Sequence, residues 1–471
     1  MAQQRNNGWR PGRQPSDPAR IVALDVLAAV RENDAYANLV LPREIRRARL
    51  DSQDAAYATN LCYGTLRLQG RWDAIIARCT EGRAIKDIDP EILDILRLGV
   101  HQLVEFRTPP HAAIFEMVTI TRNELSQNRG GFVNAILRRV SERLDEWEDV
   151  LRASATSDVE FYAQWYSHPL WIVEEIVRSL EANGRPAADL PNILAANNEP
   201  AKVALVPRDV TRRQLRRGII AEGLKPLPGY LMPEAILLES GDPQRLRAIK
   251  SGAAGVQDEG SQLIAAVLTE APITGPDELW LDLCSGPGGK TATMAARGVE
   301  RAVEIHANEP QEHRLELVAN AVDPWARRVA LRLGDGRDVG TEEPNAYDRV
   351  LVDAPCTGLG ALRRRPEARW RKVPADVSQL TVLQRELLDA GFAALRPGGA
   401  LVYSTCSPVV AETKEVVQSF LDSTSNARLL DAGAIASEVA SRKVPSHDGV
   451  VQLWPDTDHT DAMFIALITK D

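Results

Sequence analysis

The sequence predicts a multidomain protein made of an all-α helical bundle, a small α+β connector and a Rossmann-like α/β domain. Three observations lead there. The first third shows only helical periodicity; the last 200 residues or so alternate apolar strand candidates with helical stretches; and a proline-broken segment separates them. A length of 471 residues fits three compact units at about 150 residues each.

Residues 1–17 are polar and Gly/Pro-punctuated, which predicts a flexible tail. Over 18–145 the pattern is helical. Asp17-Pro18 and Asp89-Pro90 each place a capping acid before a proline that suits the first helical turn. Ile21, Leu24 and Ala28 are expected on the buried face of the first helix. Ile92, Ile95, Leu96 and Leu103 are expected on that of the second. Pro109-Pro110 ends a helix, Ile114, Met117, Val118 and Thr121 mark the next, and Gly130-Gly131 opens another carrying Val133, Ile136, Leu137 and Val140. Residues 146–250 combine one helix (Trp171–Leu180) with strand-like pieces such as Lys202–Val206, which predicts the connector. Over 251–471 the strand candidates are Leu279–Leu283, Ala302–Ala307, Val329–Leu333, Val350–Val352, Ala400–Tyr403 and Met463–Ile468. Such alternation predicts a doubly wound, mostly parallel sheet.

Composition narrows the function classes. Hydrophobic residues are 44 % of the chain, enough for more than one core, and no apolar stretch reaches the ~20 residues of a membrane span. The five cysteines form no C-x-x-C pair, which argues against a disulfide scaffold or a thiolate metal site and for a reducing cytoplasm. His101 and His111 lack ligand spacing, so no metal is expected. The net charge of −9 argues against a nucleic-acid partner only when averaged, because residues 1–140 carry 20 Lys+Arg against 16 Asp+Glu. Of the 56 cationic residues 47 are Arg, a bias that a GC-rich genome also produces.

The chemistry concentrates in the α/β part. Leu279-Trp-Leu-Asp-Leu-Cys-Ser-Gly-Pro-Gly-Gly-Lys290-Thr291 runs from a strand through a glycine-rich turn into a helix expected to start near Thr291. A P-loop needs glycine at position 284, which is Cys, and the dinucleotide fingerprint begun by Gly286 and Gly288 needs glycine at 291, which is Thr. An S-adenosylmethionine (SAM) loop remains. Glu309, Asp335 and Asp353 follow three successive strands, where carboxylates face the ligand crevice of an α/β sheet. Cys356 and Cys406 also fall just after strands, each beside a helix start that would favour its thiolate. A thiolate is what cytosine methylation requires: C5 becomes nucleophilic once C6 has been attacked.

The stretches Cys284–Lys290, Asp353–Gly360 with Arg363–Glu367, and Tyr403–Ser407 resemble the bacterial Sun/Fmu-type RNA cytosine-5 methyltransferases. The helical part resembles the RNA-binding fold of the antitermination factor NusB, and Gly130–Arg139 looks like the end of that domain in the ribosomal-RNA members. The resemblance spans about 18–471 and implies a class I SAM-dependent methyltransferase domain that acts in the cytoplasm as a monomer on 16S rRNA, without a membrane or DNA partner. Position by position it makes Cys406 the nucleophile, Cys356 the aid to adduct breakdown, and Asp353 a hydrogen-bond partner of the base. It places Cys284, Ser285, Gly286, Pro287, Gly288, Gly289, Lys290, Glu309, Asp335 and Asp353 around SAM. Arg314, Arg363, Arg364 and Arg365 would meet RNA, the last three as a phosphate clamp. Two departures stand out. Gly286 replaces a common Ala or Ser, and Asp461-Ala-Met-Phe464 replaces a frequent Asp-Gly-Phe-Phe. The alternatives are a tRNA cytosine-5 methyltransferase and a non-catalytic RNA-binding or antitermination factor; the intact Cys406, Cys356 and Asp353 speak against the latter.

Overall fold

A computed structural model describes residues 15–471; most of the expected N-terminal tail, residues 1–14, lies outside the described residues. The chain forms two compact units. One runs to Val173 and includes Arg365–Glu367; the other comprises Glu174–Arg364 and Ala368–Asp471.

The first unit is all-helical, as its periodicity predicts. Its longer helices are Pro18–Glu32, Ala37–Ala48, Ser52–Arg67, Gln69–Cys79, Pro90–Val104, Pro110–Ile120 and Gly130–Ser141. Both Asp-Pro signals work as caps: Asp17 accepts the Arg20 N–H at 2.8 Å and Asp89 that of Glu91 at 3.1 Å. The first helix buries Ala19, Val22, Ala23, Val26, Leu27 and Val30, while Ile21, Leu24 and Ala28 are only partly covered. That helix is apolar over most of its circumference, so a three-residue stripe selected the wrong edge. The unit also extends beyond residue 145. Trp147, Leu151 and Phe161, on helices Trp147–Ser154 and Asp158–Trp165, enter the same core, and Trp147 Nε1 donates to the Val140 carbonyl at 3.1 Å. Two eight-residue helices are too short to display a readable period.

His101 lies inside this core, its ring centroid 5.5 Å from that of Trp72 and 4.8 Å from that of Phe106. Neither ring nitrogen has a partner among the described residues. Burial, reinforced by Arg67 and Arg71, pulls its pKa from 6.5 to about 3. The folded state therefore refuses a proton that the unfolded chain accepts. Stability of this unit is intact above about pH 6.5 and falls as pH drops toward 3. Hydrogen exchange of helix Pro90–Val104 should show that slope in the native chain and a flatter one in His101→Phe; equal slopes would contradict it.

The second unit holds two sheets. The small one contains β1 (Val203–Pro207), β2 (Pro226–Pro228), β3 (Ile236–Leu238) and β4 (Ala254–Val256), antiparallel in the order β2-β3-β1-β4. Because β4 pairs with β1, the connector ends after residue 250, and the three-residue length of β2, β3 and β4 explains why only β1 was legible.

The large sheet contains β5 (Leu279–Asp282), β6 (Glu304–Glu309), β7 (Val329–Leu333), β8 (Tyr347–Asp353), β9 (Leu395–Thr405), β10 (Ala427–Leu430), β11 (Val451–Gln452) and β12 (Phe464–Lys470). Its order is β10-β12-β9-β8-β5-β6-β7, with β11 on β12. Strands β5 to β9 pair in parallel and β12 runs antiparallel to β9. Both faces are covered. Val350, Val352, Leu401 and Tyr403 join one core, whereas Leu351, Ala400 and Val402 join the other. The chain runs outward from β5 through β7 and restarts at β8 on the opposite side of β5. The switch point therefore lies between the ends of β5 and β8, where such sheets bind ligands.

Candidate active site

The loop after β5 is held open by its own neighbours. Ser285 N–H donates to the Asn308 carbonyl at 2.9 Å, and Asn308 Nδ2 donates to the Leu283 carbonyl at 3.1 Å. Gly288 has φ +96°, and a Cβ there would press on the Val318 backbone, so the turn requires glycine. Helix Gly289–Arg297 begins at once, two residues earlier than expected, and a Cβ at Gly289 would meet nothing within 4 Å. The first N–H groups of that helix have no acceptor within it, and the space beside Gly289 is open.

Acceptors surround that space. Glu309, buried at the end of β6, takes the Gln311 N–H at 3.1 Å. Asp282, at the end of β5, accepts Thr291 Oγ1 at 2.7 Å through one oxygen, and burial raises its pKa to about 7. The other Asp282 oxygen and Asn308 Oδ1 are buried without a partner among the described residues. Open backbone donors and buried acceptors fit SAM, whose amino-acid part offers an ammonium and a carboxylate and whose ribose offers two hydroxyls. Asp282 and Asn308 were missed in the sequence. Their signal was position alone, at the C-terminal end of a strand.

Cys284 belongs to this loop as a neutral thiol, since burial and then Asp282, Asp353 and Glu309 raise its pKa well above the ordinary value. Asp335 follows β7 and is held by Arg337, whose hydrogen bonds lower its pKa. Arg314, expected at RNA, instead donates to the Gly286 carbonyl at 2.8 Å and lies 3.4 Å from Glu309. This pair also accounts for the departure at 286, because a Cβ there would fall on Glu309 Oε2 and close to Arg314. Gly286→Ala should displace Glu309 and weaken SAM binding about tenfold, the effect of one charged hydrogen bond, as calorimetry can check.

The two cysteines meet because β8 and β9 are parallel neighbours whose register sets Asp353 opposite Ser404. The chain leaves both strands at the same level, and Cys356 Sγ lies 3.4 Å from Cys406 Sγ. Their hydrogen bond, then burial, holds the Cys356 pKa well above the ordinary thiol value, so Cys356 carries its proton at neutral pH. Beside them Asp353 accepts from Lys290 Nζ at 2.7 Å and from Ser404 Oγ at 3.0 Å. Burial alone would lower the Lys290 pKa, but Asp353, Cys406 and Asp282 outweigh it, and Lys290 stays cationic.

A buried carboxylate missed in the sequence ties the two loops together. Glu412 accepts Thr357 N–H at 2.7 Å, Thr357 Oγ1 at 2.5 Å, Ser407 Oγ at 2.5 Å and Gln384 Nε2 at 3.1 Å. Farther along, Gly360 N–H donates to the Cys406 carbonyl and the Gly360 carbonyl accepts from Ala462 N–H, each at 2.9 Å.

The three clamp arginines part company. Arg363 is buried and donates from Nη1 to the Thr460 carbonyl. Arg364 spends its guanidinium on Asp461 at 3.0 Å and Asp258 at 2.7 Å. Arg365 is exposed, 4.8 Å above the Tyr36 ring centroid within the first unit. A three-pronged surface clamp is therefore not formed: two of the three guanidiniums turn inward toward internal acceptors. Among the described residues no cluster of metal-ligating side chains occurs, and no helix is long and apolar enough to cross a membrane.

Residues 271–469 match the family described as 16S rRNA methyltransferase RsmB/F, and residues 17–142 match the NusB family. The chain is 44 % identical to the putative methyltransferase Rv1407 of Mycobacterium tuberculosis, the match covering 98 % of each. It is 30 % identical to the probable ribosomal RNA small subunit methyltransferase B of Bacillus subtilis, over 96 % of this chain and 98 % of the relative. The chain belongs to the RsmB/F family. The crystal structure of PH0851 shares its fold, with a TM-score of 0.78 at 20 % identity over 97 % of this chain and 100 % of that one. As an RsmB/F member this chain is a SAM-dependent rRNA methyltransferase with a NusB-like helical domain.

Proposed function

We propose that the chain methylates C5 of a cytosine in 16S rRNA, with Cys406 as the nucleophile. The supporting observation is the pair of thiols 3.4 Å apart beside a Lys290–Asp353 ion pair. Bound SAM supplies an electrophilic methyl group on a sulfonium. Cys406, as thiolate, bonds to C6 of the base, and the ring electrons that this addition releases make C5 nucleophilic. Lys290 stabilises the thiolate by charge, while Asp353 orients the base near N3. Methyl transfer to C5 would leave S-adenosylhomocysteine; the C5 hydrogen then passes as a proton to water, its bonding electrons re-form the C5–C6 double bond, and the C6–S bond breaks to release Cys406 as a thiolate. Cys356, protonated and in contact with the nucleophile, assists that departure. Cys284–Lys290, Glu309 and Asp335 serve SAM, and Asp282 and Asn308 join them. The chain acts as a monomer and DNA is not its substrate.

Bisulfite sequencing of rRNA from a strain lacking the chain should show one lost 5-methylcytosine in 16S rRNA. An unchanged 16S pattern with a mark lost from tRNA would transfer the same chemistry to that substrate.

A further inference from the structure

A cavity of about 80 Å³ opens beside the cysteine loops, among Lys202, Tyr230, Arg363, Arg364 and His459. It is connected to the reacting thiols by short steps. Gly360 bonds to the Cys406 carbonyl and to Ala462, and Arg363 bonds to Thr460 in the adjoining segment. The volume corresponds to roughly five to eight waters, room for a phosphate and part of a sugar but not for a second cofactor.

The walls of the cavity are unevenly used. Its two acids are consumed internally. Glu259 accepts the N–H groups of Tyr230, Leu231 and Met232 at 3.0, 2.8 and 2.7 Å, and Asp258 holds Arg364. Of its cations, Arg364 is matched by Asp258 and Asp461, but Arg363 and Lys202 are not matched in the same way. Arg363 is only 8 % exposed, yet its Nε has no partner among the described residues, and Lys202 reaches solvent at the rim. Leaving a guanidinium N–H buried and unpaired is costly unless a ligand completes it. In the same lining Tyr230 is 44 % exposed, and its ring lies 4.6 Å from that of His459 at an interplanar angle of 47°; His459 is also exposed. An exposed aromatic pair lining the same cavity as Arg363 and Lys202 offers a ring face for a base beside a seat for its phosphate.

We propose that this cavity binds the nucleotide next to the target cytosine in single-stranded RNA, its base on Tyr230 and His459 and its phosphate at Arg363 and Lys202. The proposal rests on the RNA-methylating reading above and adds to it a second nucleotide subsite. Arg363 thereby meets phosphate from inside a pocket and not as part of an exposed clamp. The subsite favours unpaired RNA, because a base held in a duplex cannot turn its face to the ring pair.

The test uses the full chain and a fluorescein-labelled 12-nucleotide single-stranded RNA with one cytosine. A second copy of that RNA lacks the base next to the cytosine. Tyr230→Ala and His459→Ala should each weaken binding of the intact RNA between about five- and a hundredfold, the range for losing one stacked base. SAM affinity should not change. Removing the neighbouring base should weaken binding to the native chain by a similar factor but cost the Tyr230→Ala/His459→Ala double variant less than twofold. Lys202→Ala should lower the slope of log affinity against log salt by about one. Equal affinity of native chain and aromatic variants, or equal loss from the missing base in both, would overturn the subsite while leaving the methylation reading intact. A native chain that binds SAM but neither RNA would instead overturn the reading beneath it.

Discussion

Cys406→Ala should abolish methyl transfer and form no covalent complex with RNA, whereas Cys356→Ala should attack, transfer and then stall. The second variant should accumulate a protein–RNA species that survives denaturant. The asymmetry follows from the positions of the two thiols and not from their chemistry, since they touch at 3.4 Å. Cys406 directly follows β9, and it is among the groups that hold Lys290 cationic beside it. Cys356 keeps its proton through its contact with Cys406 and its burial, which suits a group that helps a bond to break. Removing a nucleophile costs several orders of magnitude in rate, because the ring is then never activated. Removing the releasing group leaves the first methyl transfer intact but blocks breakdown of the adduct. Gel analysis under denaturing conditions and a single-turnover assay distinguish the cases. Turnover by Cys406→Ala together with an inert Cys356→Ala would reverse the roles.

The next largest effect is expected at Glu412, which touches neither the substrate nor SAM in this account and acts through both cysteine loops. Glu412→Ala would remove the acceptor of four buried hydrogen bonds, at about 1–3 kcal/mol for each donor left unpaired; Gln384 keeps the Pro355 carbonyl, and the Thr357 and Ser407 hydroxyls keep each other. The variant should lose stability by about 3 kcal/mol or more, and kcat by roughly a hundredfold, the scale for misplacing reacting groups by about 1 Å. Glu412→Gln separates positioning from charge. Its amide oxygen can still accept from Thr357 N–H and Gln384, while the hydroxyls of Thr357 and Ser407 can rotate to accept from its NH₂. It should stay within about tenfold of the native rate. SAM affinity, independent of these loops, should hold in both variants. A stable Glu412→Ala protein with native kcat would remove Glu412 from the account.

The sequence was most informative where the physics is local. Asp17 and Asp89 cap helices because a side-chain oxygen two or three residues from an N–H needs no tertiary partner. The central strands were legible because burial on both faces makes them continuously apolar, as in Leu279–Asp282 and Val350–Val352. Cys356, Cys406 and Asp353 were legible from their places at strand ends, which the parallel register of β8 and β9 brings together. What stayed hidden depends on distant partners. Glu412 reads as an ordinary surface acid until four donors from three segments surround it. Arg364 and Arg314 read as RNA ligands because an arginine in the sequence cannot show that its guanidinium meets Asp258 and Asp461, or Gly286, in the fold. The short connector strands were lost for a different reason: three residues carry no period.

The central claim is that carbon 5 of cytosine receives the methyl group through an adduct at C6. It is tested most directly with 16S rRNA transcribed from [5-³H]cytidine triphosphate and SAM carrying a ¹⁴C methyl group. Substitution at C5 must expel the hydrogen already there, so the account predicts one tritium released to water for each ¹⁴C methyl incorporated. Methyl incorporation with the tritium retained would place the methyl group on another atom and contradict it.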